Sequence, residues 1–228
     1  MVENFRNFTW IPFYMELADK LREYKDNRTL LIEKINAVYE KVGKKMPTLE
    51  YGELTDIDPF TIFGLFNKGL NDSNRIALLT CFSEEFGVTA EIPTDFNGIP
   101  VLNPMQAAFY GFGNDRGVDD IDNLWSFYLC ALDYADYHSG KERFCSLFKT
   151  VIKQYCVGLP SLTMGLFWIR PYVYLNLDGV NQSLLRNEIL VPAKVVELIN
   201  SKMIKRKNFD KKPDGQFILK SAKLVFPN

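Results

Sequence analysis

Ser161 to Asn187, SLTMGLFWIRPYVYLNLDGVNQSLLRN, decides how this chain is built. Leu162, Met164, Leu166, Phe167, Trp168 and Ile169 form a nearly continuous apolar run, which suits a buried helix or a buried strand equally. Pro171 ends the run, because the residue before a proline is pushed out of helical geometry. Val173, Leu175 and Leu177 then alternate with Tyr172, Tyr174 and Asn176, and that period of two predicts a short strand or extended segment. Asp178-Gly179 follows as a turn or helix cap. Arg170 lies between Trp168 and Tyr172, where a guanidinium must pair, stack on a ring or reach the surface. An arginine snorkelling from a core edge is the plainer account; one that contacts a ligand is the other.

Upstream of this stretch the pattern is helical. Tyr14, Leu17, Ala18 and Leu21 share one face of a first helix. A second runs from about Thr29 to Val42 and closes at Gly43, so the pair reads as an antiparallel hairpin. Asp58-Pro59 has the composition of a helix start and opens a short segment with Phe60, Phe63 and Phe66. The next helix, capped by Asp72 or Ser73, stops at Gly87. Asp58 to Gly87 therefore reads helix–turn–helix, and its apolar content suits packing better than a DNA groove. Prolines and glycines between Val88 and Gly117 predict a long irregular segment, of the kind often packed over a site. The run Gly111 to Gly117 is glycine-rich but lacks the lysine and hydroxyl residue of a phosphate loop. Two helices follow, one from Asp120 to about Ala135 and one opened by a Ser139/Glu142 capping box. Beyond the central stretch a last helix is expected over 192–201 and a terminal strand over 217–225.

The fold class is therefore mainly α, a helical domain with a few short strands and the irregular segment 88–117. It divides into a helical body over residues 1–200 and a basic segment over 201–228, where Lys205, Arg206 and Lys207 lead the cationic residues. A solvated tail and a phosphate-contacting one both suit that segment. At 228 residues, with 47% apolar and 24% charged residues, the chain can bury a real core. A formal net charge of -1 gives no global nucleic-acid signal, so DNA binding would need a local basic patch. The four cysteines form no CxxC pair and His138 is the single histidine, so no metal site, cofactor or histidine-based triad is expected. No apolar run is long enough to span a bilayer and no signal peptide is visible, which makes the cytoplasm the expected compartment. Acid pairs such as Asp56/Asp58 and Asp119/Asp120/Asp122 precede helices, where carboxylates commonly cap.

Several segments together resemble an N-terminal region found on McrB-type proteins, the AAA+ GTPase subunits of modification-dependent restriction systems. They are FTWIPFYMELADKL (Phe8 to Leu21), DIDPFTIFGLFNKG (Asp56 to Gly69), PTDFNGIPVLN (Pro93 to Asn103), DIDNLW (Asp120 to Trp125) and LTMGLFWIRPYVYLNLD (Leu162 to Asp178). The resemblance implies a target-recognition module that binds DNA, often at a modified base. A downstream AAA+ motor domain and a partner nuclease subunit would do the cutting, so this chain would have no catalysis of its own. The motor motifs are missing here, and 201–228 would be a linker toward such a domain. The resemblance assigns no base-contacting residue. On chemical grounds a flipped base needs an aromatic-lined pocket with polar groups at its edge, which nominates Trp168, Arg170, Tyr172 and Asp178. Lys205, Arg206 and Lys207 are nominated for backbone phosphate. Two other classes stay open. The glycine-containing apolar run ending at Asp178 is loosely reminiscent of helix–hairpin–helix DNA glycosylases, although an Asp capping the next turn is the plainer account. A protein-interaction module of a phage-defence system is the other.

Overall fold

The computed structural model describes residues 8–103 and 107–186. Among the described residues there are eight α-helices: α1 (Trp10–Leu21), α2 (Arg28–Lys41), α3 (Pro59–Phe66), α4 (Asp72–Phe86), α5 (Asp120–Tyr137), α6 (Lys141–Val151), α7 (Leu159–Ile169) and α8 (Gly179–Arg186). No strand occurs among the described residues, so the expected few short strands are not supported there. The helix expected over 192–201, the strand over 217–225, the domain boundary at 200/201 and Lys205, Arg206 and Lys207 all lie outside the described residues.

α3 is the axle of the fold. Asp58 accepts the Phe60 and Thr61 N–H groups at 2.8 and 3.1 Å, and Pro59 follows at the position where its missing N–H costs nothing. All eight α3 residues are buried, with α4, α5 and α7 packed against the helix. Phe60 meets Tyr128 of α5 edge-on at 5.4 Å, Phe66 meets Phe82 of α4 at 5.3 Å, and Phe63 stacks near Trp168 of α7. Rings dominate this core because each brings a large apolar area and settles readily edge-to-face. α3 is enclosed on every side and is a packing element, whereas α4 keeps an exposed face. α4 starts one residue earlier than expected, with Asn71 as its cap, accepting the Asn74 N–H at 2.9 Å. α2 packs along α4 rather than pairing with α1 as a hairpin.

The ambiguous stretch resolves as helix α7, because Thr163 secures both ends of a local circuit. Its hydroxyl donates to the Leu159 carbonyl at 2.8 Å and accepts the Leu177 N–H at 3.0 Å. Residues 171–173 form a turn, the Val173 and Tyr174 N–H groups both donating to the Arg170 carbonyl at 3.1 Å, and 174–177 continue irregularly without a strand partner among the described residues; their inward positions are not those the alternation predicted. Tyr174, Asn176 and Leu177 are buried, whereas Val173 and Leu175 are half-buried. Tyr174 decides this register: its hydroxyl donates to the Ala131 carbonyl at 2.6 Å and its ring stacks on Phe144 at 5.6 Å. The expected Ser139 capping box does not form. His138 closes α5 in the left-handed conformation and Gly140 precedes α6 without a side-chain cap. The segment 88–117 is irregular wherever it is described, apart from a short 3-10 turn at Gly113–Asp115. It is tied down by buried donors, including Trp10 Nε1 to the Asn97 carbonyl and Trp168 Nε1 to the Pro100 carbonyl.

Candidate functional site

The structure disperses the four described residues nominated from the central stretch. Trp168 is fully buried, its ring against Phe63 and Phe109. Arg170 is only 4% exposed. It does not snorkel to the surface. Its Nε and Nη2 donate to the two oxygens of Asp136 at 2.7 and 2.8 Å, Nη2 also donates to Asp19 at 2.7 Å, and Nη1 donates to the Ile169 carbonyl at 2.8 Å. Burial alone would lower its pKa, but the hydrogen bonds to Asp136 and Asp19 outweigh it and hold the guanidinium above its usual value. Tyr172 is exposed on the surface. Asp178 accepts the Asn181 N–H at 2.8 Å and thereby opens α8, while its other oxygen takes the Asn176 amide. Trp168, Arg170, Tyr172 and Asp178 are therefore not brought together as one aromatic pocket: Trp168 and Arg170 are committed inside the core, Tyr172 lies on the surface and Asp178 caps α8.

Rings and positive charge come together elsewhere. A cleft of about 300 Å³ is lined by the strap Pro47–Leu49 with Tyr51, by Lys68, by Tyr110, Phe112 and Asp115, and by Tyr155 and Cys156. Glu50 locks its two main walls together. The carboxylate accepts the Tyr51 N–H at 2.8 Å and the Gly113 N–H at 3.0 Å, and pairs with Arg116. Burial would raise the Glu50 pKa, but those N–H donors and Arg116 pull it below the usual carboxylate range. Arg116 in turn lies over the Tyr110 ring at 5.6 Å.

The glycines of this wall are required by close approach. A Cβ on Gly111 would meet the Asp115 carbonyl oxygen at 2.5 Å and the Tyr155 ring at 3.0 Å. With glycine there, Tyr110 and Phe112 lie 6.0 Å apart, and Tyr51 meets Phe112 edge-on at 5.6 Å. Tyr51 is 77% exposed and Tyr155 is 60% exposed, so two rings stand free at the cleft. Tyr110 is buried, and its hydroxyl has no partner. Burial pushes that phenol's pKa up. Lys68, half-buried, makes no ion pair or hydrogen bond with a described residue, and burial lowers its pKa. A larger groove of about 590 Å³ lies on the other side of the strap, against Thr29, Ile32, Glu33 and Asn36 of α2, but it has no aromatic wall.

The chain that leads to Tyr155 carries four exposed cations and one exposed carboxylate, Glu142. Lys141, Arg143, Lys149 and Lys153 are exposed along α6 and the turn after it, and none forms a described ion pair. By contrast, Arg22, Arg28, Arg116 and Arg170 are each neutralised by carboxylates. Among the described residues no group of His, Cys, Asp and Glu side chains is placed to hold a metal ion, and no disulfide joins any of the four cysteines. No described helix is long and apolar enough to cross a membrane.

Sequence reasoning missed Tyr51, Lys68, Tyr110, Phe112 and Tyr155 as one constellation. The visible signal is Tyr110-Gly111-Phe112-Gly113, rings alternating with glycines; it overlaps the run Gly111 to Gly117, whose glycines alone suggest only a phosphate loop without its lysine. Among known proteins, a family model described as Domain of unknown function (DUF8425) matches residues 10–212. Neither a curated protein nor a solved structure matches the chain.

Proposed function

This chain belongs to the DUF8425 family, and we propose that it is a DNA-binding specificity domain of a McrB-like modification-dependent restriction system. It would locate DNA, with a modified base as the favoured target, while an AAA+ motor domain and a nuclease subunit carry out cleavage. The observation that carries this reading is that Lys141, Arg143, Lys149 and Lys153, exposed and without a described ion pair, lie on the helix and turn that lead to Tyr155 at a ring-lined cleft. Exposed lysines and arginines without counter-charges gain most from a polyanion, because each neutralised phosphate releases condensed counterions. Aromatic rings near such side chains suit a base taken out of its stack. The segment resemblance over Phe8 to Asp178 supports the same assignment.

The test is a gel-shift titration with plain and methylated duplexes at two salt concentrations. Binding should weaken steeply with salt. The double variant Lys149→Glu/Lys153→Glu should lower affinity for every duplex and reduce the log–log salt slope by about 2, one unit per lost phosphate contact. Binding that is absent, or indifferent to salt, would overturn the proposal. A pull-down that recovers protein without nucleic acid would instead favour an interaction module.

A further inference from the structure

We propose that the cleft between the strap 47–51, the turn 110–115 and Tyr155 binds a single mononucleotide unit, its ring against the tyrosines and Phe112 and its phosphate on Lys68. Three observations carry this. The volume of about 300 Å³ sits at the low end of ligand clefts, about 300–1,000 Å³, which suits one ring with a small substituent rather than a dinucleotide. Three of the lining rings, those of Tyr51, Phe112 and Tyr155, are exposed or half-buried and offer flat apolar faces to a planar guest.

Lys68 supplies the charge. It enters the cleft from the turn that ends α3, an element held rigid by burial on every side. Its ammonium offers only donors, and no described carboxylate meets them. Partly removed from water and unpaired, it is costly to keep charged, and a phosphate would repay that cost with short charge-assisted hydrogen bonds. The Tyr110 ring lines the inner wall of the cleft, while its hydroxyl is buried away from the open space. Asp115 contributes a carboxylate to another wall. It accepts from amino or hydroxyl groups and repels anions, so a guest needs donors as well as a phosphate to satisfy the site. A nucleotide has both.

The inference rests on the DNA reading for one of its two sources of ligand, a nucleotide extruded from a strand; the other is a free nucleoside monophosphate. The experiment titrates the full chain with the four deoxynucleoside 5′-monophosphates, with their nucleosides and with inorganic phosphate, by calorimetry. At least one monophosphate should bind about tenfold or more tightly than its own nucleoside, the usual worth of one charge-assisted contact. Lys68→Gln should erase that gap while the nucleoside affinity stays the same. Tyr51→Ala, a change at an exposed ring outside the core, should weaken nucleoside and monophosphate alike. Equal affinity for nucleoside and monophosphate, or a gap that survives Lys68→Gln in a folded variant, overturns the assignment. A chain that retards DNA but binds no monophosphate overturns the cleft assignment and leaves the DNA reading standing. Monophosphate binding without DNA binding does the reverse.

Discussion

Replacing Arg170 with Ala should destabilise the domain by about 2–3 kcal/mol. Removing one partner of a buried ion pair typically costs about 3–5 kcal/mol, because the other charge is left uncompensated. Here the penalty is smaller, since Asp19 and Asp136 are 49% and 29% exposed at the side chain and both retain Arg22. What is lost outright is the two-pronged contact with Asp136, the bond to Asp19 and the donor to the Ile169 carbonyl. These contacts tie the end of α7 to α1 and α5. For a chain of this size the loss lowers Tm by about 4–12 °C, and urea unfolding followed by circular dichroism gives the free energy directly. Lys at 170 keeps the charge but not the fork, so it should recover only part of the loss. Coupling between Arg170→Ala and Asp136→Asn should reach about 1 kcal/mol in a double-mutant cycle. The pH dependence follows from Asp136. The hydrogen bond from Arg170, working against burial, holds its pKa below the ordinary 3.8. A depressed carboxylate pKa adds stability that is present above the unfolded value and disappears as pH falls through the folded one. The difference between wild type and Arg170→Ala should therefore be full near neutrality and shrink below about pH 4. A change under about 0.5 kcal/mol at pH 7 would refute this account and restore Arg170 to the class of ordinary surface residues.

Asp58 should give the opposite pH signature. Burial, opposed by hydrogen bonds from Thr61 and Phe60, pushes its pKa up from 3.8 to about 6. The folded state then binds the proton more tightly than the unfolded one, so stability falls by about 3 kcal/mol as pH rises from 4 to above 6, apart from other groups. Asp58→Asn keeps an oxygen for capping and should flatten that limb of the unfolding profile; an unchanged profile would exclude Asp58 as its source. Gly64→Ala should cost about 1–3 kcal/mol, since the added Cβ meets the Ala107 carbonyl oxygen at 2.4 Å. Thermal denaturation measures this, and a neutral Gly64→Ala would mean that the 107–110 segment can move away from α3.

The helices were legible wherever a local rule sufficed. Asp58-Pro59 and Gly87 mark real ends, because a cap acts within three or four residues and leaves its signature in the chain. The central stretch was ambiguous because a continuous apolar run satisfies helix and strand equally, and the deciding bond, Leu177 N–H to Thr163, spans 14 residues. Arg170 was unreadable for a stronger version of the same reason. Its partners lie 34 and 151 residues away, and no periodicity announces that Asp136 and Asp19 will close around it. The cleft lay furthest beyond local inference. Its walls come from four separated stretches, and each of its rings, taken singly, looks like core in a chain with 18 Phe and 11 Tyr. Only the glycines hinted at it. Gly111 is there because the Asp115 carbonyl approaches too closely for a side chain, and Gly113 because its φ is +54°; that tight turn brings Tyr110 and Phe112 to the space beside Lys68. Part of that space is set before any guest arrives, since Glu50 joins the backbones that carry Tyr51 and Phe112, and only the exposed Tyr51 and Tyr155 rings would have to be ordered on binding.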